Sequence, residues 1–130
     1  MDLETAARRW AETWTLAWPD HDVDAIAALY AEDAEYRALA FRAPDLGVSG
    51  VRHYLRENFA VEEHVECWFG MPVAMGDRAA VEWWATWVEN GRRLTMAGTT
   101  MLRFGADGQV VDHRDYWNEV ERREPPYEGW

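Results

Sequence analysis

The chain contains no lysine. All 13 of its basic residues are arginine, and against 24 acidic side chains they leave a formal charge of −11. A field of that sign repels phosphate backbones and anionic lipid, so neither a nucleic-acid partner nor a membrane surface is expected. Cysteine is nearly absent: Cys67 alone cannot staple a fold or supply a cysteine-based zinc site, and it reads as a small buried hydrophobe. His21, His53 and His64 share no metal-ligand spacing, so no metal is expected. A glycine-rich phosphate loop, a nucleophile elbow and a dinucleotide fingerprint are all missing, so no cofactor is expected either. No apolar run approaches the ~18–20 residues of a membrane span. Met1-Asp2-Leu3-Glu4 carries no basic segment ahead of an apolar one, so a cytoplasmic location is the expectation.

What is present is aromatic bulk. In 130 residues, 48% of them hydrophobic, there are nine Trp beside five Tyr and four Phe. At that density the rings form a heavy core, line a pocket or coat an interface. The length and the absence of a linker or repeat imply one domain spanning residues 1–130.

Leu3, Ala7, Trp10, Trp14 and Ala17/Trp18 recur at three and four residues, the stripe of an amphipathic helix that Pro19 stops. Asp20 or Asp22 suits the cap of a short second helix, and Ser49 that of a third ending near Phe59. Ala34–Leu39 reads as extended and Phe41–Gly50 as loop. Beyond His64 the texture is that of strands, with Gly70 and Pro72 breaking the first. Gly76-Asp77, Asn90-Gly91 and Asp107-Gly108 then mark three turns at regular intervals, the last two being strong hairpin signals. Helices followed by a meander make an α+β layout: three helices packed on a curved antiparallel sheet.

Strand parity sorts the side chains. The last strand carries Val111, His113, Asp115 and Trp117 on one row and Asp112, Arg114, Tyr116 and Asn118 on the other. An earlier strand carries Val81, Trp83, Ala85 and Trp87 on one row and Glu82, Trp84, Thr86 and Val88 on the other. With both first rows facing inward, Trp83 and Trp87 wall a cavity whose polar lining is His113 and Asp115. Trp84 then falls on the outer face, suited to a homodimer interface. Trp10, Trp14 and Trp18 read more readily as helix–sheet core, with Trp14 able to reach the cavity. Tyr30 and Tyr36 are rim candidates, Trp117 shares the His113 row, and Glu62-Glu63 with Glu66 reads as a solvated acidic edge.

The segments Ala31-Glu32-Asp33-Ala34-Glu35-Tyr36, Gly50-Val51-Arg52-His53-Tyr54-Leu55 and Asp107 to Asn118 resemble SnoaL-like proteins of the nuclear transport factor 2-like superfamily. The resemblance implies a cone-shaped fold with a pocket at its wide end, dimerising through the outer sheet face. Limonene epoxide hydrolases of that superfamily pair the Asp of an Arg-Asp-Tyr motif with an Arg-x-Asp pair on a neighbouring strand. Asp115 matches the first, but Trp83 and Ala85 stand at the second, and neither activates water. Tyr36 fits their water-binding Tyr, while Ala38 replaces its Asn partner and also the ketosteroid isomerase base. The cyclase pattern, a pocket Asp acting as acid/base on a flat substrate, fits Asp115 with His113 as partner.

Two functional readings follow. One is a cofactor-free acid/base enzyme of cyclase, isomerase or dehydratase type acting on a small apolar, aromatic or polycyclic molecule. In it Asp115 and His113 are catalytic, and Trp14, Tyr30, Tyr36, Trp83, Trp87 and Trp117 bind substrate. The other is a non-catalytic apolar-ligand binder, or a dimerisation module whose pocket its own side chains fill. Cavity volume separates an open pocket from a filled one: a cavity well below the ~300 Å³ expected of ligand sites favours the filled reading.

Overall fold

The computed structural model describes residues 1–130. Asp2 opens α1 (Leu3–Ala17) by accepting the Thr5 backbone N–H at 2.8 Å, which satisfies one of the orphan donors of a first turn. Alanines alternate with indoles along its inner face: Ala6, Ala7, Trp10, Ala11, Trp14 and Ala17 are all buried. Of the two candidate caps for α2 (Val23–Ala27), Asp22 is the one used, accepting the Ala25 N–H at 3.0 Å. The third helix, α3 (Gly47–Phe59), starts two residues before the expected Ser49 cap, and no side chain caps it. Gly47 makes the earlier start possible. It sits at φ +68°, where an added Cβ would come 2.7 Å from the Glu32 carbonyl oxygen.

The strands are β1 (Tyr30–Arg37), β2 (Asp45–Leu46), β3 (Glu63–Phe69), β4 (Val73–Met75), β5 (Arg78–Glu89), β6 (Arg92–Phe104) and β7 (Val110–Val120). They form one curved sheet in the order β2-β1-β7-β6-β5-β3, with β4 also paired to β5. The Asn90-Gly91 turn has both residues at positive φ, 52° and 75°, as a two-residue hairpin requires.

The sheet is mixed, which corrects the all-antiparallel expectation. β1 pairs with β7 in parallel, Tyr36 standing opposite His113. A crossover through α3 and the whole meander separates these strands, so no hairpin constrains their direction. Parity also needs one correction. The register of β6 with β7 steps from Arg103↔Asp112 to Phe104↔Val110, leaving Val111 in a bulge. Val110 is therefore fully buried in place of Val111, and from His113 onward the expected rows hold.

On the inner face, α1 packs against β3, β4 and β5, and α3 against β1. Trp68 lies directly across from Trp84 on the outer face. The C-terminal tail covers part of that face. Tyr127 meets Trp84 edge-on at 5.9 Å, and Trp130 donates its indole N–H to Glu82 at 3.2 Å.

Candidate functional site

Between the helices and the inner sheet face lies a cavity of about 250 Å³. Six of the nine tryptophans border it: Trp10 and Trp14 from α1, Trp18 from its C-cap, Trp83 and Trp87 from β5, and Trp117 from β7. The helical indoles therefore do more than fill core, as Trp10 and Trp18 were expected to. All three indoles of the helical stripe line the hollow. Trp18 meets Trp14 and Trp83 nearly perpendicularly, at 81° and 69°, so the rings make a concave wall and not a flat stack.

A directed hydrogen-bond chain crosses the wall. Trp10 Nε1–H donates to the Tyr30 hydroxyl at 3.1 Å, and Trp14 Nε1 approaches the same oxygen without completing a bond. The Tyr30 hydroxyl lies 2.8 Å from His113 Nδ1, and with Trp10 on one lone pair it has its O–H to give to that nitrogen. With Nδ1 accepting, the ring hydrogen sits on Nε2, which faces Asp115 Oδ1 at 2.8 Å. From the other side Trp83 Nε1–H donates to Thr100 Oγ1 at 2.8 Å, and Thr100 donates onward to the same Asp115 Oδ1 at 2.6 Å. Both relays end on one carboxylate oxygen. Asp115 Oδ2 has no protein partner, and the side chain forms part of the cavity wall.

His113 is also held from above. Tyr36 stacks on its ring with centroids 3.7 Å apart and planes 18° apart, and Tyr54 packs against Tyr36 at 4.8 Å. Burial raises the Tyr30, Tyr36 and Tyr54 phenols far above their ordinary range, so all three remain protonated.

The cavity wall also carries a buried acid away from the His113–Asp115 hydrogen bonds. Glu62, expected on a solvated edge, is only 7% exposed. It follows the last turn of α3, which folds it inward beneath α1, where Trp18 Nε1–H donates to its Oε1 at 2.7 Å. Desolvation, with a smaller push from Glu89, raises its carboxyl to about 7. Cys67 packs beneath α1 with its thiol 3.6 Å from the Thr15 carbonyl oxygen, and burial pushes that thiol up to about 12.

The structure brings Trp14, Tyr36, Trp83, Trp87, His113, Asp115 and Trp117 around one hollow. Tyr30 is not in the wall; it lies behind His113 as a donor. Sequence reasoning missed Thr100 and Glu62. The residue facing Asp115 was sought on β5, but the strand hydrogen-bonded to β7 is β6, and there Thr100 stands opposite. Counting one hairpin further would have found it.

Residues 7–113 match the SnoaL-like domain, and the chain belongs to that family of the nuclear transport factor 2-like superfamily. No curated protein sequence matches it. Among solved structures it is similar to SalBIII, an epoxide hydrolase/cyclase-like enzyme in pyran ring formation in polyether salinomycin. That pair has 20% identity and a TM-score of 0.80 over 93% of this chain and 98% of SalBIII. It is similar also to an LEH-like epoxide hydrolase of Mycobacterium tuberculosis, at 21% identity and a TM-score of 0.73 over 88% and 84% of the two chains. A third is a hypothetical protein of ketosteroid isomerase-like fold from Catenulispora acidiphila DSM 44928, in complex with trimethylamine. It is 21% identical with a TM-score of 0.72, over 81% of this chain and 82% of that one. At these identities the likeness is one of fold.

Proposed function

We propose that this chain is a cofactor-free acid/base enzyme acting on a small, largely apolar substrate at the wide end of a cone-shaped fold. The observation that carries this reading is the asymmetry of Asp115: Oδ1 takes both donors, and Oδ2 is left free in an apolar wall. A carboxylate held by one oxygen is oriented without being neutralised, which suits it to take and return a proton through the other. His113 positions it, and Tyr30 and Thr100 fix the direction of the two relays. The Tyr36 hydroxyl, kept protonated by burial and without a protein partner, is suited to donate to an oxygen on which charge develops.

The step is proton abstraction next to a carbonyl. The C–H proton passes to Asp115 Oδ2, the electron pair moves onto the carbonyl oxygen, and the proton returns at a second carbon or to the same one. A cavity of about 250 Å³ holds roughly eight waters at ~30 Å³ each, which suits one or two rings better than a larger polycycle. It lies just under the ~300 Å³ typical of ligand sites, so the volume favours an open pocket over a filled one.

Proton exchange tests the reading without a known substrate. Small cyclic ketones in heavy water should lose their α-proton NMR signals faster with the protein than without it. Asp115→Asn should slow that exchange by about 100-fold or more. A wild-type protein that exchanges none of them, yet binds them, is the non-catalytic binder.

A further inference from the structure

The cavity's charges do not match its apolar walls. Four carboxylates border it, Glu62, Glu89, Asp115 and Glu119, against one guanidinium, that of Arg42. Arg42 is half exposed and already committed: it pairs with Asp45 at 3.3 Å and lies over the Tyr54 ring at 5.9 Å. His113 is already committed to Asp115, its Nε2 lying 2.8 Å from Oδ1.

Glu62 is the sharpest case. Buried carboxylates are ordinarily paired with a cation, because an isolated charge loses its hydration. Here no arginine or histidine pairs with Glu62. Its Oε1 has the Trp18 indole, its Oε2 has no protein partner, and the side chain is part of the cavity wall. The groups that face it are Trp18 from the C-cap of α1, Tyr54 from α3 and Glu89 from β5, none of them positive. Around that corner stand Trp18 and Trp87, 6.3 Å apart, with Trp83 and Trp14 meeting Trp18 at steep angles. Indoles set at angles around a carboxylate make a rounded, negative corner, and the group that such a corner attracts is an alkylated ammonium.

We infer that the cavity takes a small organic cation, an amine with apolar substituents, whose ammonium lies among Trp14, Trp18, Trp83 and Trp87 with Glu62 as its counter-charge. This rests on the proposed acid/base reading only in placing the reacting carbon beside Asp115. The ligand supplies the positive charge that the fold withholds from Glu62. The net charge of −11 draws such a cation toward the protein and repels anionic metabolites.

Choline and its uncharged carbon isostere, dimethylbutanol, provide the test, because they match in shape and differ in charge. Calorimetry at about pH 8, where Glu62 is ionised even with its carboxyl raised to about 7, should show choline binding about tenfold tighter or more. The preference should fall to near parity in Glu62→Gln and persist in Asp115→Asn, with near-UV circular dichroism confirming that both variants keep the native packing. Equal binding of the two probes overturns the inference, as does binding of neither, or loss of the preference in Asp115→Asn alone. If Glu62→Gln does not fold, the wild-type comparison still decides. The two readings fail separately. A protein that exchanges ketone protons but ignores the charge on choline keeps its acid/base function and loses its cation. One that selects choline but exchanges nothing does the reverse.

Discussion

Tyr36 lies flat on the imidazole of His113, ring on ring at 3.7 Å, although 76 residues separate them in sequence. The contact exists because β1 joins β7 in parallel, with these two residues opposite each other. A ring so clamped, with Tyr30 at one nitrogen and Asp115 at the other, is fixed in orientation, and the Nε2–H tautomer satisfies both neighbours.

Tyr30→Phe should undo that choice. It leaves buried Trp10 Nε1–H and His113 Nδ1 without partners, at a cost of about 1–3 kcal/mol for each group stranded. Chemical denaturation should show the loss of stability. Nitrogen NMR should show the wild-type His113 as the Nε2–H form and the variant as a mixture of tautomers.

Thr100→Val preserves shape and removes the hydroxyl through which Trp83 reaches Asp115. One indole donor is stranded and Oδ1 keeps only the histidine. We expect a destabilisation of about 1–3 kcal/mol by thermal unfolding, together with slower proton exchange from ketones. Thr100→Ser should restore most of both.

Glu62 gives the stability curve a distinctive slope. Its carboxyl is raised from 4.5 to about 7 by folding, so between those values the folded chain holds a proton that the unfolded chain has released. Its contribution is therefore fully present below about pH 4.5 and is lost as pH rises through about 7. At ~1.4 kcal/mol per pH unit the loss is on the order of 3 kcal/mol. Urea unfolding of wild type and Glu62→Gln across this range should converge at the acid end and separate toward neutrality, the variant being the more stable.

Gly98→Ala should disturb the sheet itself. Gly98 sits between Trp83 on β5 and Trp117 on β7, and an added Cβ would fall 2.5 Å from the Tyr116 carbonyl oxygen. Backbone is the obstacle, so β6 and β7 must part. A cost of about 1–3 kcal/mol is expected from overpacking, and with it a changed near-UV dichroism from the flanking indoles.

How much of this was legible in the sequence depended on whether the signal was local. Asn90-Gly91 and Asp107-Gly108 announced their turns because Asn and Gly tolerate the positive φ that Asn90, Gly91 and Gly108 adopt. The inward rows of β5 and most of β7 followed from alternation alone. The bulge at Val111 did not, because one extra residue alters parity without altering composition. Nor did the parallel seam, which joins the two ends of the sheet-forming chain. Glu62 was hidden by its neighbours: beside Glu63 and ahead of Glu66 it looks solvated, and only the turn after α3 decides that it goes inside. Thr100 carried no motif, and its role comes wholly from cross-strand register.

The distribution of indoles has an optical consequence. Six border the cavity, and the other three, Trp68, Trp84 and Trp130, belong to the outer face or the tail upon it. A molecule entering the hollow alters the surroundings of two-thirds of the emitters at once. One that settles on the far side of the sheet reaches only the remaining third. The protein thus carries a built-in fluorescent reporter that tells occupancy of its interior from contact with its back.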